Sequence, residues 1–166
     1  RTFAERPLTQ LFNAAILQLI ERGEIRRTGT ILHLPDHKAK LATRAQSAWQ
    51  KILPLLNSGD LRPQVVWQIA SELDMPADEI ERVLKHAAAL GFCVHVAKNR
   101  YFLPTAVRRL ADIAEELAEE SEGGLFLAAA YRDRSGIGRN LTIEVLEFFD
   151  RSGFTRRSGN ARRALR

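Results

Sequence analysis

At 166 residues the chain has room for one ordinary domain or for two or three very small ones, and its 45% hydrophobic and 27% charged content is that of a globular protein. A single cysteine, Cys93, excludes an intrachain disulfide. No apolar run approaches the roughly 20 residues of a membrane-spanning helix, and the N-terminus has no signal-peptide pattern, so a reducing, cytoplasmic setting is expected. The charge is placed unevenly: residues 131–166 carry nine arginines against Asp133, Glu144, Glu147 and Asp150, a net of +5, whereas 1–130 balances sixteen cations against sixteen carboxylates.

In chain order, FNAAILQLIERGEIRRTGTILHLP predicts an amphipathic helix, a glycine stop and two short strands around a tight turn. IERVLKHAAALGFCVHVAKNRYFLP and TIEVLEFFDRSGFTRRSGNARRAL repeat the plan. Aligned on Gly23, Gly91 and Gly153, the position seven before holds Ile16, Leu84 and Leu146, and the position eight before holds Ala15, Val83 and Val145. Those steps share one helical face, and each glycine stands where a left-handed cap releases the chain. The turns fall at Thr28-Gly29, Lys98-Asn99 and Ser158-Gly159-Asn160.

Ahead of the second hairpin, Thr43 is placed to cap a helix through Ala48, Trp49, Ile52 and Leu56, ending near Asn57-Ser58-Gly59. Val65, Val66, Ile69, Ala70 and Leu73 predict a second helix, and Pro76 opens the third. The last copy has the same order: Val107 to Leu117, Leu125 to Tyr131, then the helix after Gly138. Three helices and a two-stranded wing make a winged helix. The expected fold is mostly α with small β-hairpins (α+β), as tandem winged-helix modules: a partial one over 1–38 (third helix and wing), one over 39–104 and a C-terminal one over 105–166. The first copy lacks leading helices, so the chain is expected to start inside a module. Pro104 leads straight into the next helix, so the last two modules should be held together rather than freely jointed.

No metal site is expected. His33 and His37 are four apart, but Pro35 between them breaks a helical ligand face. His86, His95 and Cys93 read as structural. Gly136-Ile137-Gly138 follows a helix rather than a strand and fails as a dinucleotide fingerprint, and Ser135, Ser152 and Ser158 sit in no nucleophile elbow. No enzyme is read here. Trp49 and Trp67 are expected in the core. Tyr101 and Phe102 straddle a strand, so one should face inward and one outward. The acidic helix with Asp112, Glu115, Glu116, Glu119, Glu120 and Glu122 reads as a solvated face that would also repel nucleic acid.

The basic end is different. Arg134 and Arg139 bracket Gly136 and Gly138 at a helix start, where bare backbone lets a phosphate approach free N–H groups. Arg156, Arg157, Arg162 and Arg163 flank the wing turn, with no carboxylate side chain after Gly153 to neutralise them. Such clusters are the electrostatic footprint of phosphate binding. Glu144, Glu147 and Asp150 form an expected outward acidic stripe on the third helix. That stripe suits contact at the helix tip and wing, as on an RNA hairpin, better than a helix laid along duplex DNA.

YRDRSGIGRNLTIEVLEFFDRSGFTRRSGN resembles the last winged-helix module of the bacterial selenocysteine-specific translation elongation factor (SelB family), and TGTILHLPDHKA is similar to its upstream module. The resemblance implies a non-catalytic C-terminal fragment whose last module binds the selenocysteine insertion stem-loop in mRNA, tethering the factor near a recoded UGA codon. It implies Arg134, Gly136, Gly138, Arg139, Arg156, Arg157, Gly159 and Asn160 as RNA-binding residues; Asn140, next to Arg139, is expected among them, and Arg162 and Arg163 join them on charge. No cofactor is expected in this fragment, since GTP would bind an upstream domain, through which ribosome and selenocysteyl-tRNA would also be met. A monomer with no membrane partner is expected. The alternatives are a winged-helix DNA-binding transcriptional regulator and a protein-interaction scaffold.

Overall fold

The computed structural model describes residues 5–28, 31–36, 41–57 and 61–165. The chain divides into two compact units, 1–40 and 41–166. The first holds α1 (Glu5–Glu21) and an antiparallel pair, β1 (Arg26–Thr28) with β2 (Ile31–His33). Ala15 is exposed and Ile16 half-buried, while Phe12 and Leu17 stand open to solvent. The turn residue Gly29, His37 and the expected 38/39 boundary lie outside the described residues.

The second unit begins with α2 (Thr43–Leu56), α3 (Val66–Leu73), α4 (Ala77–Ala89) and the hairpin β3 (Val94–Ala97) and β4 (Arg100–Phe102). Trp49, Ile52 and Leu56 meet Ile69, Ile80, Leu84 and Tyr101 in one core. Each such apolar side chain contributes about 1.5–3 kcal/mol when fully buried. Two expectations change here. Thr43 is the first helical residue and does not cap; Ala42 holds the cap position without a side-chain bond. Trp67 is 63% exposed, because it lies off the α3 stripe formed by Val66, Ile69 and Ala70.

The chain continues through α5 (Pro104–Glu120), β5 (Leu125–Leu127), α6 (Ala128–Ser135), α7 (Arg139–Arg151), β6 (Thr155–Ser158) and β7 (Ala161–Ala164). Leu125–Leu127, expected in a helix, is a strand, and α6 starts only at Ala128. A three-residue apolar run does not distinguish the two by periodicity. Gly123 and Gly124, both with positive φ, end the preceding turn, and Leu125 to Leu127 then pair with Arg163 to Ala161. The wing of this module is therefore a three-stranded sheet in the order β5-β7-β6.

The three glycine stops share one geometry. Gly23, Gly91 and Gly153 have φ of +71°, +80° and +75°. At each, the glycine N–H and the next N–H reach back to the last-turn carbonyls, as Gly153 and Phe154 do to Asp150 and Phe149. This is the paired-bond C-terminal cap, and its usual apolar contact is present as Phe149 against Phe154, ring centroids 5.0 Å apart.

Tyr101 and Phe102 are both buried, against the expectation of one outward face. Tyr101 closes the core of the preceding helices. Phe102, with Val96, enters a second core made by Leu110, Phe126, Tyr131, Val145, Leu146 and Phe149. The β3–β4 wing thus has a core on each face, and 105–166 does not complete its interior alone.

Candidate nucleic-acid interface

Helix α7 exists because Leu141, Val145, Leu146 and Phe149 recur on one face and are buried. Gly138 is its N-cap and makes no side-chain cap bond, so acceptors for the first N–H groups must come from outside the cap. Its φ is −69°, a value open to any residue, and a Cβ added there would meet nothing within 4 Å. Gly136 differs: it ends α6 with φ +69°, where a side chain is strained. Two residues apart, one glycine serves the chain and the other leaves a helix tip bare.

Arg139 and Asn140 follow on the exposed first turn of α7. With Gly138 and Leu141 they line an open depression of about 390 Å³, whose other wall is Arg62 and Arg100 from the preceding module. Arg62 donates to the Gly136 carbonyl. Arg100 pairs with Glu144 at 2.5 Å. The sequence reading missed both, since neither lies within thirty residues of the basic end and no local motif marks them.

At the wing, Ser158 pairs with Ala161, leaving Gly159 and Asn160 as a two-residue turn with positive φ at Gly159. Arg156 and Arg157 are exposed on β6, and Arg157 Nε donates to the Gly159 carbonyl at 3.1 Å. Arg163 is exposed on β7 and shares a shallow hollow with Glu115 and Glu119. Arg162 is not a free cation: it is 7% exposed, and its Nε donates to Asp150 at 3.0 Å. The register explains this, because Arg162 lies opposite the buried Phe126 and so points into the module.

Arg134 is also taken up. Its fork donates to both carboxylate oxygens of Glu120, at 3.1 and 2.7 Å, with Glu116 at 3.6 Å. The bond to Arg134 lowers the Glu120 pKa, and the same bond raises that of Arg134. The helix α5 is therefore more than a solvated acidic face. The outward stripe on α7 changes as well: Glu144 and Asp150 are half-buried and paired, and Glu147 alone of the three is exposed without an ion pair among the described residues. Arg139, Arg151, Arg156, Arg157 and Arg163 have no carboxylate partner among the described residues. Arg151 donates instead to the Val96 carbonyl at 3.0 Å.

Burial pushes the Cys93 thiol up to about 12, so it stays protonated. Burial likewise raises Tyr131, whose hydroxyl donates to the Leu110 carbonyl at 2.8 Å. His95 stacks on Tyr101 at 4.7 Å. Among the described residues no cluster of His, Cys, Asp and Glu could hold a metal ion, and no helix is long and apolar enough to cross a membrane.

A family model described as "Elongation factor SelB, winged helix" matches residues 117–164. The mRNA-binding domain of elongation factor SelB from E. coli, solved in complex with SECIS RNA, superposes with a TM-score of 0.69 at 34% identity, covering 76% of this chain and all of that one. The chain belongs to the SelB family. Two selenocysteine-specific elongation factors extend the match: that of Escherichia coli K12 is 40% identical over 89% of this chain, and that of Haemophilus influenzae 30% identical over 90%. This chain spans 24% of the length of each. A bacterial selenocysteine-specific elongation factor of 19% identity shares the fold, at TM-score 0.59 over 89% of this chain. The winged-helix architecture is thus that of the SelB mRNA-binding domain.

Proposed function

We propose that this SelB-family chain binds a stem-loop RNA, the selenocysteine insertion hairpin of mRNA, without catalysis. The observation that carries the reading is the set of arginines without carboxylate partners at the α7 tip and wing: Arg139, Arg156, Arg157 and Arg163. Loop phosphates would meet these guanidinium groups and the first N–H groups of α7 beside Gly138, while Asn140 and Asn160 offer amides to an unstacked base. Arg134, Gly136 and Arg162 hold the frame. Glu147, exposed on the body of α7, opposes a duplex laid along that helix. GTP, the ribosome and selenocysteyl-tRNA would be handled by other parts of a longer cytoplasmic factor, with this region as its mRNA tether. The test is a titration of the chain with a selenocysteine insertion hairpin, the same sequence as DNA, and duplex DNA at matched salt. Preference for the RNA hairpin is expected; equal or tighter duplex binding overturns the reading in favour of a DNA regulator.

A further inference from the structure

We propose that the RNA site crosses the module boundary, with Arg62 and Arg100 adding phosphate contacts beside Arg139. The inference rests on the RNA reading above and names further residues for the same partner. One depression brings together guanidinium groups from both sides of the boundary, and its lining includes no carboxylate. Glu144 lies next to it, paired with Arg100 through Nε. Arg62 keeps its whole charge, because its partner is the neutral Gly136 carbonyl. Neither contact uses all the N–H groups of a guanidinium, so each arginine is anchored by one edge and can offer another.

Their position is fixed by the chain around them. Leu61 packs against the core of the last module and Pro63 is buried, so Arg62 is pinned between two anchored residues. Arg100 opens β4, two residues before Phe102, which enters that same core. Both arginines are thus held at the α7 tip before any ligand arrives, which removes much of the ordering cost of a phosphate contact. A strand whose phosphate sits over Gly138 would pass its next phosphate along this wall.

The experiment uses the whole chain and a selenocysteine insertion hairpin over a series of salt concentrations. Arg62→Gln keeps an amide able to donate to Gly136 but removes the charge. It should weaken binding roughly three- to tenfold and lower the log–log salt slope by up to about one unit, and Arg62→Lys should restore the slope. Arg100→Gln, paired with Glu144→Gln so that no carboxylate is stranded, should behave alike. On the unaltered chain, RNA should protect Arg62 and Arg100 from phenylglyoxal together with Arg139, a readout that needs no variant to fold. Loss of affinity and slope in Arg139→Ala, with Arg62→Gln unchanged and Arg62 unprotected, overturns the extension and spares the RNA reading. No hairpin preference in the unaltered chain overturns both.

Discussion

Asp150 holds Arg162 and Thr155 at once: one carboxylate oxygen accepts from Arg162 Nε at 3.0 Å, the other from Thr155 Oγ1 at 2.6 Å. The last turn of α7 is thereby fastened to both strands of the wing hairpin, β6 and the central β7, so the helix tip and the wing arginines stand at a fixed separation. Asp150→Ala would leave the Arg162 charge buried without a partner. A loss of about 3 kcal/mol is expected, as for one side of a buried pair removed, and urea unfolding measures it. Asp150→Ala with Arg162→Met should recover much of that loss.

The two glycines ahead of α7 should respond in opposite ways. Gly138→Glu has room and an ordinary φ, so thermal unfolding should be near wild type while hairpin binding falls severely, a carboxylate now occupying the positive helix end. Gly136→Ala puts a side chain at φ +69° and should cost about 1–2 kcal/mol in stability, with RNA affinity following only the folded fraction. Calorimetry and RNA titration of the same two variants check this.

Arg156 stands directly opposite Arg163 in the wing ladder, like charge against like charge. Such pairs oppose sheet formation by a few tenths up to about 1 kcal/mol. Arg163→Thr should therefore raise the melting temperature slightly while weakening hairpin binding and flattening its salt dependence. A variant that binds RNA as tightly as wild type would show that this repulsion serves no phosphate.

The Arg134–Glu120 pair gives a pH signature. Its bond holds the Glu120 carboxyl below the ordinary glutamate value, so the folded-state pKa is depressed. The stability it contributes is present above the ordinary value of 4.5 and is lost as pH falls through the lower folded value. Both groups are on the surface, so the effect is small and screened by salt. Carboxyl NMR should show Glu120 titrating below the ordinary glutamate value in wild type and returning to it in Arg134→Ala.

The helices before Gly91 and Gly153 and their glycine stops are readable because they rest on local signals: the apolar steps before those glycines put Leu84 and Leu146 wholly inside. What the sequence hid depends on partners distant along the chain. Arg162 read as free because Asp150, which neutralises it, lies twelve positions earlier in a helix. Arg134 likewise meets Glu120 across fourteen positions, and Arg62 meets Gly136 across seventy-four. Strand β5 reads as helix in the sequence because its pairing with β7 is a tertiary fact. Tyr101 and Phe102 show the same limit: alternation says that they face opposite ways, but not that both ways lead into a core.

That double burial also governs how the second unit comes apart. With Tyr101 in one core and Phe102 in the other, neither can open without uncovering the hairpin that closes its neighbour. Amide hydrogens of α4 and α7 should exchange with solvent through the same rare opening, at one common free energy, so the two cores behave as a single foldon. Phe102→Ala, at a cost of about 3–5 kcal/mol, should split that opening in two and let the α7 amides exchange first.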